Sequence, residues 1–81
     1  MIKNWTERKA KYLLIFKKLQ DQTGSVRASI LAQEIGKTEA ATYNFLNYMQ
    51  DNELIDKPVD GVFKLTEKGE LLYEEEMTDE Q

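Results

Sequence analysis

The feature that most constrains the fold is a short break, Gly36-Lys37-Thr38, between two segments whose apolar residues recur at helical spacing. Before the break, Ser29 is the expected N-cap of a helix with apolar positions at Ile30, Leu31, Ala32 and Ile35. After it, Thr38 is the expected N-cap of a helix over residues 38–51, whose inward face carries Thr42, Phe45, Leu46 and Met49. Two helices joined by about three residues that include a glycine form a helix-turn-helix motif. The sequence therefore predicts this motif, with residues 38–51 as its second helix.

A longer helix is predicted ahead of the motif. Asn4 supplies an amide side chain and Glu7 follows three residues later, which is the pattern of a capping box. From there one apolar stripe recurs at helical spacing and is expected to face the core: Trp5, Tyr12, Leu13, Phe16 and Leu19. Polar residues and a glycine at 20–24 end this helix near position 21, and residues 25–27 are expected to be extended.

A strand-turn-strand pattern follows the motif. Residues 54–57 and 62–65 are predicted to be two short strands, and Pro58-Val59-Asp60-Gly61 between them is expected to be a four-residue loop. Thr66 is the expected N-cap of a last helix, in which apolar contacts come from Leu71, Leu72, Tyr73 and Met77. The predicted fold is α+β and mainly α: three helices, a two-stranded ribbon and a C-terminal helix. We expect one domain over residues 1–77 and an acidic, frayed tail over residues 78–81.

The residue types present exclude several classes of function. The chain has no Cys and no His, so it lacks the thiolate and imidazole groups that serve in catalysis and in soft-metal binding. Its longest apolar run, Leu13 to Phe16, is far shorter than the roughly 20 residues of a membrane span. We therefore expect a cytoplasmic protein that is not an enzyme, uses no metal or other cofactor and does not enter a membrane.

The charge is distributed unevenly along the chain. The net charge of −4 is unfavourable for binding nucleic acid, but residues 1–69 carry all 11 bases and nine of the 15 acids, a net charge of +2. Six of the bases belong to the first helical region: Lys3, Arg8, Lys9, Lys11, Lys17 and Lys18. This run is either a solvated helix face or a second contact for phosphates.

Two stretches resemble known families. The segment GSVRASILAQEIGKTEAATYNFLNYMQDNELI, followed by GVFKLTEKGELL, resembles the amino-terminal domain of metal-dependent (DtxR/MntR-type) repressors, and LTEKGELL is also similar to MarR-type regulators. The resemblance implies a winged helix-turn-helix fold, in which the ribbon is the wing, and double-stranded DNA as the partner. Lys11 and Leu14 stand where the metal-dependent repressors have acidic metal ligands, so metal sensing is not implied.

The expected function is that of a small DNA-binding transcriptional regulator, a repressor acting as a homodimer. Helix 38–51 would lie in the major groove with the 54–65 wing alongside, because this placement presents donors to base edges and cations to phosphates. Asn44 suits adenine, the small Ala40 and Ala41 suit a thymine methyl, and Tyr43 and Tyr48 suit phosphates. The full set of candidate DNA-binding residues is Arg27, Lys37, Thr38, Ala40, Ala41, Tyr43, Asn44, Asn47, Tyr48, Lys57 and Lys64.

A second function fits the same sequence. Residues 38–51 contain no Lys or Arg and begin with Glu39, which favours a protein-protein interaction module in a transcription, conjugation or phage-related assembly, with little or no DNA affinity. Four residues are the predicted dimer or partner contacts, unless they only complete the core of one chain: Trp5, Leu14, Tyr73 and Met77.

Overall fold

Four helices and three short strands follow one another in the computed structural model, which describes residues 2–79. In chain order they are α1 (Glu7–Thr23), β1 (Val26–Arg27), α2 (Ala28–Ile35), α3 (Glu39–Asp51), β2 (Ile55–Val59), β3 (Val62–Leu65) and α4 (Glu67–Asp79). The predicted mainly helical α+β fold is confirmed. β1, predicted only as an extended segment, adds a third strand to the ribbon.

The first helix begins two residues later than the sequence indicates. Thr6 is its N-cap, with Oγ1 accepting from the Lys9 amide at 3.2 Å. The predicted cap Asn4 is wrong, because its backbone is in the left-handed region, at φ 63°. α1 also runs past position 21 to Thr23 and ends at Gly24, whose φ of 87° suits a residue without a side chain.

The second helix corrects two further predictions. α2 begins at Ala28, whose amide donates to the Gly61 carbonyl at 3.1 Å, so Ser29 lies inside the helix and is not its cap. The helix turns Ala28, Leu31 and Ala32 into the core, whereas Ile30 is 42% exposed and was wrongly placed there. The earlier start explains the misplaced cap. Ile30 is exposed because, at about 100° per residue, it lies about 200° from Ala28 around the helix.

The third helix matches its prediction closely. Thr38 is the N-cap, with Oγ1 accepting from the Ala41 amide at 3.1 Å. The four residues expected on the inward face are all buried: Thr42, Phe45, Leu46 and Met49. The hydroxyl of Thr42 donates to the Thr38 carbonyl at 2.8 Å, which satisfies the one polar group that this face buries.

The three strands form an antiparallel sheet in the order β1-β3-β2. The predicted four-residue loop is wrong, because Pro58 and Val59 belong to β2 and only Asp60 and Gly61 form the turn. Proline is tolerated here because β2 is an edge strand and its register slips between Asp56 and Val59. We call β2, β3 and this turn the wing. It is short, and the bond from Ala28 to Gly61 holds its turn near the start of α2.

The core lies where α1, α2 and α3 meet the inner face of the sheet. Its largest fully buried side chains are Phe16, Phe63, Leu13, Leu31, Leu46, Met49 and Leu54. α4 closes one side with Leu72 and Tyr73 partly buried against the core. Leu71 and Met77, which the sequence also assigned to core contacts, are 57% and 43% exposed.

The last helix begins after Thr66, as predicted. Thr66 Oγ1 accepts from the Gly69 amide at 3.1 Å and donates to the Glu53 carbonyl at 2.7 Å. α4 continues to Asp79, and the Thr78 hydroxyl donates to the Glu74 carbonyl at 2.9 Å. The first two residues of the predicted tail are therefore helical, while residues 80 and 81 lie outside the described residues. The division into a domain over 1–77 and a frayed tail stays a prediction.

Candidate nucleic-acid interface

The outer face of α3 presents a line of small and amide side chains. Ala40, Asn44 and Asn47 are exposed and recur at intervals of four and three, so they share one face of the helix. We call these three residues the ridge. The side-chain hydrogen bonds that α3 and its caps make within residues 2–79 use Thr38, Thr42, Tyr48 and Asn52. The amides of the ridge are therefore available to a ligand.

The residues on the two sides of the ridge pack against different parts of the fold. Tyr43 is half-buried, and its ring meets that of Phe63 on β3 edge-on, with 6.2 Å between centroids. Tyr48, on the other side, stacks against Trp5 at the same centroid distance. α3 is thereby held between the wing and the residues that precede α1, with its ridge facing outward.

A groove separates the first turn of α1 from α3. Its volume is about 990 Å³, and one wall carries Ala41, Asn44 and Tyr48. Three cations line it, Arg8 and Lys9 from α1 and Lys37 from the turn before α3. Sequence reasoning left the α1 bases open between a solvated face and a phosphate contact. The packing of α1 divides these bases into different surroundings: Arg8 and Lys9 lie beside α3, whereas Lys17 lies in the C-terminal half of α1 and pairs with Glu70 of α4.

Tyr48 is engaged within the chain. Its hydroxyl donates to the Lys3 carbonyl at 2.7 Å, and the Lys9 ammonium lies 4.6 Å from its ring centroid. Burial raises the pKa of Tyr48 above its usual range. In this structure the hydroxyl proton is engaged with Lys3, and the residue fastens the start of the chain to α3. The donation from this hydroxyl to a phosphate stays a prediction.

The cations of the sheet are exposed but partly offset by acids. Arg27 lies opposite Val62 in the register of β1 and β3, and Lys64 lies opposite Asp56 in that of β2 and β3. Lys57 pairs with Asp60 at 3.5 Å, and because Asp60 is fully exposed this pair is weak. The sheet therefore offers Arg27 and Lys64 more readily than Lys57.

Two of the four predicted partner contacts serve the chain itself. Trp5 Nε1 donates to Glu76 Oε1 at 2.7 Å, which ties the residue before α1 to the end of α4. Tyr73 is partly buried against the core, and the Lys17 ammonium lies 5.6 Å from its ring centroid. Leu14 is half-exposed and Met77 is exposed, so these two keep surface for a partner.

Within residues 2–79, no three Cys, His, Asp or Glu side chains lie together in a way that could hold a metal ion. No helix in the same range has the length and apolar character needed to cross a membrane.

Comparison with solved structures identifies the fold. The chain superposes on the crystal structure of the reduced form of MarR from E. coli with a TM-score of 0.81, over 94% of its own length and at 16% sequence identity. It spans 54% of that chain. No family model and no curated protein matches the sequence. The comparison establishes a winged-helix fold.

Proposed function

We propose that the protein is a small DNA-binding transcriptional regulator that places α3 in the major groove and the wing beside it. The observation that carries the proposal is the ridge of α3, which is exposed and unengaged, together with the cations of Arg8, Lys9 and Lys37 in the adjoining groove. Amides suit base edges and cations suit phosphates, so the two sets have the division of labour that duplex recognition needs.

The electrostatics favour an interface with few phosphate contacts. α3 contributes no base, and Glu39 and Asp51 stand at its two ends. Attraction to the duplex must then come from the groove cations, from Arg27 on β1 and from Lys64 on the wing. Since each contact adds a limited amount, the affinity of one copy is low, and its salt dependence scales with this small number of contacts.

The proposed assembly is a homodimer that acts as a repressor in the cytoplasm, on a DNA site with two-fold symmetry. The LTEKGELL segment resembles MarR-type regulators, and the likeness to the MarR fold supports that resemblance. The resemblance to metal-dependent repressors stays a prediction from sequence. Leu14, Leu71 and Met77 supply exposed or half-exposed apolar surface for the second copy.

The test is a titration of fluorescent duplexes with the full chain at several salt concentrations. Arg8→Gln and Lys37→Gln each remove one cation, and we expect each to lower the slope of log affinity against log salt by about 0.9. Both should weaken every duplex alike. Lys18→Gln is the matched control, since Lys18 is exposed near the far end of α1 and should leave the slope unchanged. Equal slopes for all four proteins would remove the groove from the interface.

A protein-interaction module is the second candidate, and a patch near the wing favours it. Val59 is 60% exposed, and the hydrogen bond from Ala28 to Gly61 brings the wing turn toward the start of α2, where Ile30 is also exposed. Apolar side chains at such a position suit a protein surface better than a phosphate backbone. A stoichiometric partner that is lost on Val59→Glu, with no duplex bound at low salt, would select this function.

A further inference from the structure

The hydrogen-bonding groups of the ridge determine which base pairs α3 can distinguish. A side-chain amide carries one acceptor and two donor hydrogens, and Asn44 and Asn47 present two such amides one helical turn apart. Adenine shows the matching pair in the major groove, an acceptor at N7 and a donor at N6. Guanine shows two acceptors there, which the forked guanidinium of Arg matches and a single amide matches poorly.

The remaining residues of the ridge and of α3 also favour A·T pairs over G·C pairs. Residues 38–51 contain no Lys or Arg, so no group on this helix suits guanine. Ala40 offers a methyl group, the partner that the C5 methyl of thymine favours. An adenine contacted by Asn44 and a thymine contacted by Ala40 fit A·T pairs next to each other, since the two positions are one turn apart on one face.

The acid at the C-terminal end of α3 sets its orientation. Asp51 is exposed and follows Asn47 by four residues on the same face, so contact with the duplex along the whole helix would bring a carboxylate against phosphates. An approach centred on Ala40 and Asn44 avoids this, and Asn47 then lies at the edge of the contact. Thr38 is occupied as the cap and Glu39 complements the positive end of the helix dipole, so neither is assigned a base.

We infer that α3 specifies A·T base pairs in the major groove through Asn44, Asn47 and Ala40, and that it makes no specific contact with guanine. This inference rests on the proposed DNA-binding function. It assigns sequence choice to the ridge and leaves phosphate attraction to the groove and the wing.

The experiment uses the full chain and duplexes selected by it from a random pool at low salt. Single adenines in the preferred duplex are then replaced by 7-deazaadenine, which removes the N7 acceptor and keeps Watson–Crick pairing. Single guanines are replaced by 7-deazaguanine in the same way, and single thymines by uracil, which lacks the C5 methyl. We expect selection to enrich A·T pairs, and at least one 7-deazaadenine position to weaken binding roughly tenfold.

Variants of the ridge assign the loss of binding to particular residues. In Asn44→Ala or Asn47→Ala, binding to the unmodified duplex should fall by a similar factor, and the sensitive 7-deazaadenine position should have no further effect. Replacing thymine by uracil should weaken the binding of the wild type and leave the binding of Ala40→Gly unchanged. Gln22→Ala is the matched control, since it removes an exposed amide at the far end of α1 and should keep the full sensitivity to 7-deazaadenine.

The outcomes separate this inference from the proposed function. Duplex binding that is equal for all sequences, or a 7-deazaguanine effect that disappears in Asn44→Ala or Asn47→Ala, overturns the A·T assignment and leaves DNA binding standing. No binding to any duplex at low salt overturns both.

Discussion

Gly69 lies buried in the first turn of α4 against the chain that enters the wing. A β-carbon at this position would collide with the Leu54 carbonyl oxygen and would lie 3.0 Å from Leu65 Cδ2. That carbonyl also accepts from the Thr66 amide, so it is not free to move away. Glycine is usually unfavourable inside a helix, but at this position it allows α4 to approach the sheet.

We expect Gly69→Ala to lower the free energy of unfolding by about 2 kcal/mol, although alanine is the better helix former. Urea unfolding followed by circular dichroism measures this change. Lys68→Ala, one residue earlier and exposed, should change stability by less than about 0.5 kcal/mol. A Gly69→Ala protein as stable as the wild type would mean that α4 does not pack so closely on Leu54.

Lys17 is the cation through which α1 holds α4. Its ammonium lies 2.8 Å from Glu70 Oε1 and 3.2 Å from Asp21 Oδ1, with the Lys17 side chain 19% exposed. The hydrogen bond to Glu70 raises the pKa of Lys17 above its ordinary value of 10.5, against the opposing effect of burial. Gln20 extends the contact by donating to Glu70 and accepting from the Leu65 amide.

This raised pKa fixes the direction of an alkaline effect on stability. The contribution of Lys17 is fully present below pH 10.5 and is lost as the pH rises through the folded-state pKa, because only the charged form pairs with Glu70. We expect Lys17→Met to be less stable than the wild type at neutral pH by up to about 1 kcal/mol, and the difference to shrink above pH 10.5. Lys18→Met should show no such pH-dependent difference in urea unfolding. A difference that stays constant with pH would assign the effect of Lys17 to packing.

At the scale of single elements, the interiors of helices could be predicted and their first turns could not. The buried face of α3 follows from its period alone, because four inward residues recur every three or four positions. The starts of α1 and α2 depend on tertiary contacts: Ala28 is held by the Gly61 carbonyl, and no local pattern shows that bond. Pro58 was taken as a turn residue because its rigid ring suits both a turn and the edge of a sheet.

The candidate interface likewise contains residues whose position could be predicted from the sequence and residues whose position could not. The exposure of Ala40, Asn44 and Asn47 could be predicted, since the outward face of a helix follows once the inward face is known. Arg8 and Lys9 could not be assigned to the site, because their position beside α3 depends on how α1 packs. The sequence did contain one signal, two aromatic residues, Trp5 and Tyr48, whose stacking joins these elements, but nothing in their spacing pairs them.

The corrected cap of α2 can be tested against the confirmed cap of α3. Thr38→Ala removes the acceptor of the Ala41 amide, and we expect it to lower the free energy of unfolding by about 1 kcal/mol. Ser29→Ala, inside α2 and exposed, should be neutral or slightly stabilising, since alanine is the better helix former. Thermal and urea unfolding of the two variants measure the contrast. A loss for Ser29→Ala equal to that for Thr38→Ala would restore Ser29 as a cap.

At the scale of the whole molecule, the charges and the apolar surface are separated. Residues 1–69, which contain the proposed DNA-binding residues, have a net charge of +2, while α4 carries exposed acids such as Glu74 and Glu75 beside the exposed Leu71. Two copies that pair through α4 bring like charges together around an apolar contact. Salt screens that repulsion, whereas it weakens attraction to phosphates.

We therefore expect salt to act in opposite directions on the two proposed associations: higher salt should strengthen the homodimer and weaken its binding to DNA. Sedimentation equilibrium of the free chain and duplex titrations at the same salt concentrations measure the two constants. The double variant Leu71→Glu, Met77→Glu should be monomeric and lose about 100-fold in affinity for a duplex with two half-sites, because two linked contacts become one, while keeping its affinity for a single half-site. Ile30→Glu places the same charge on an exposed apolar position of α2 and should leave the dimer intact. A dimer that dissociates on Ile30→Glu and survives the double variant would move the pairing surface from α4 to the side of α2, and with it the spacing of the half-sites.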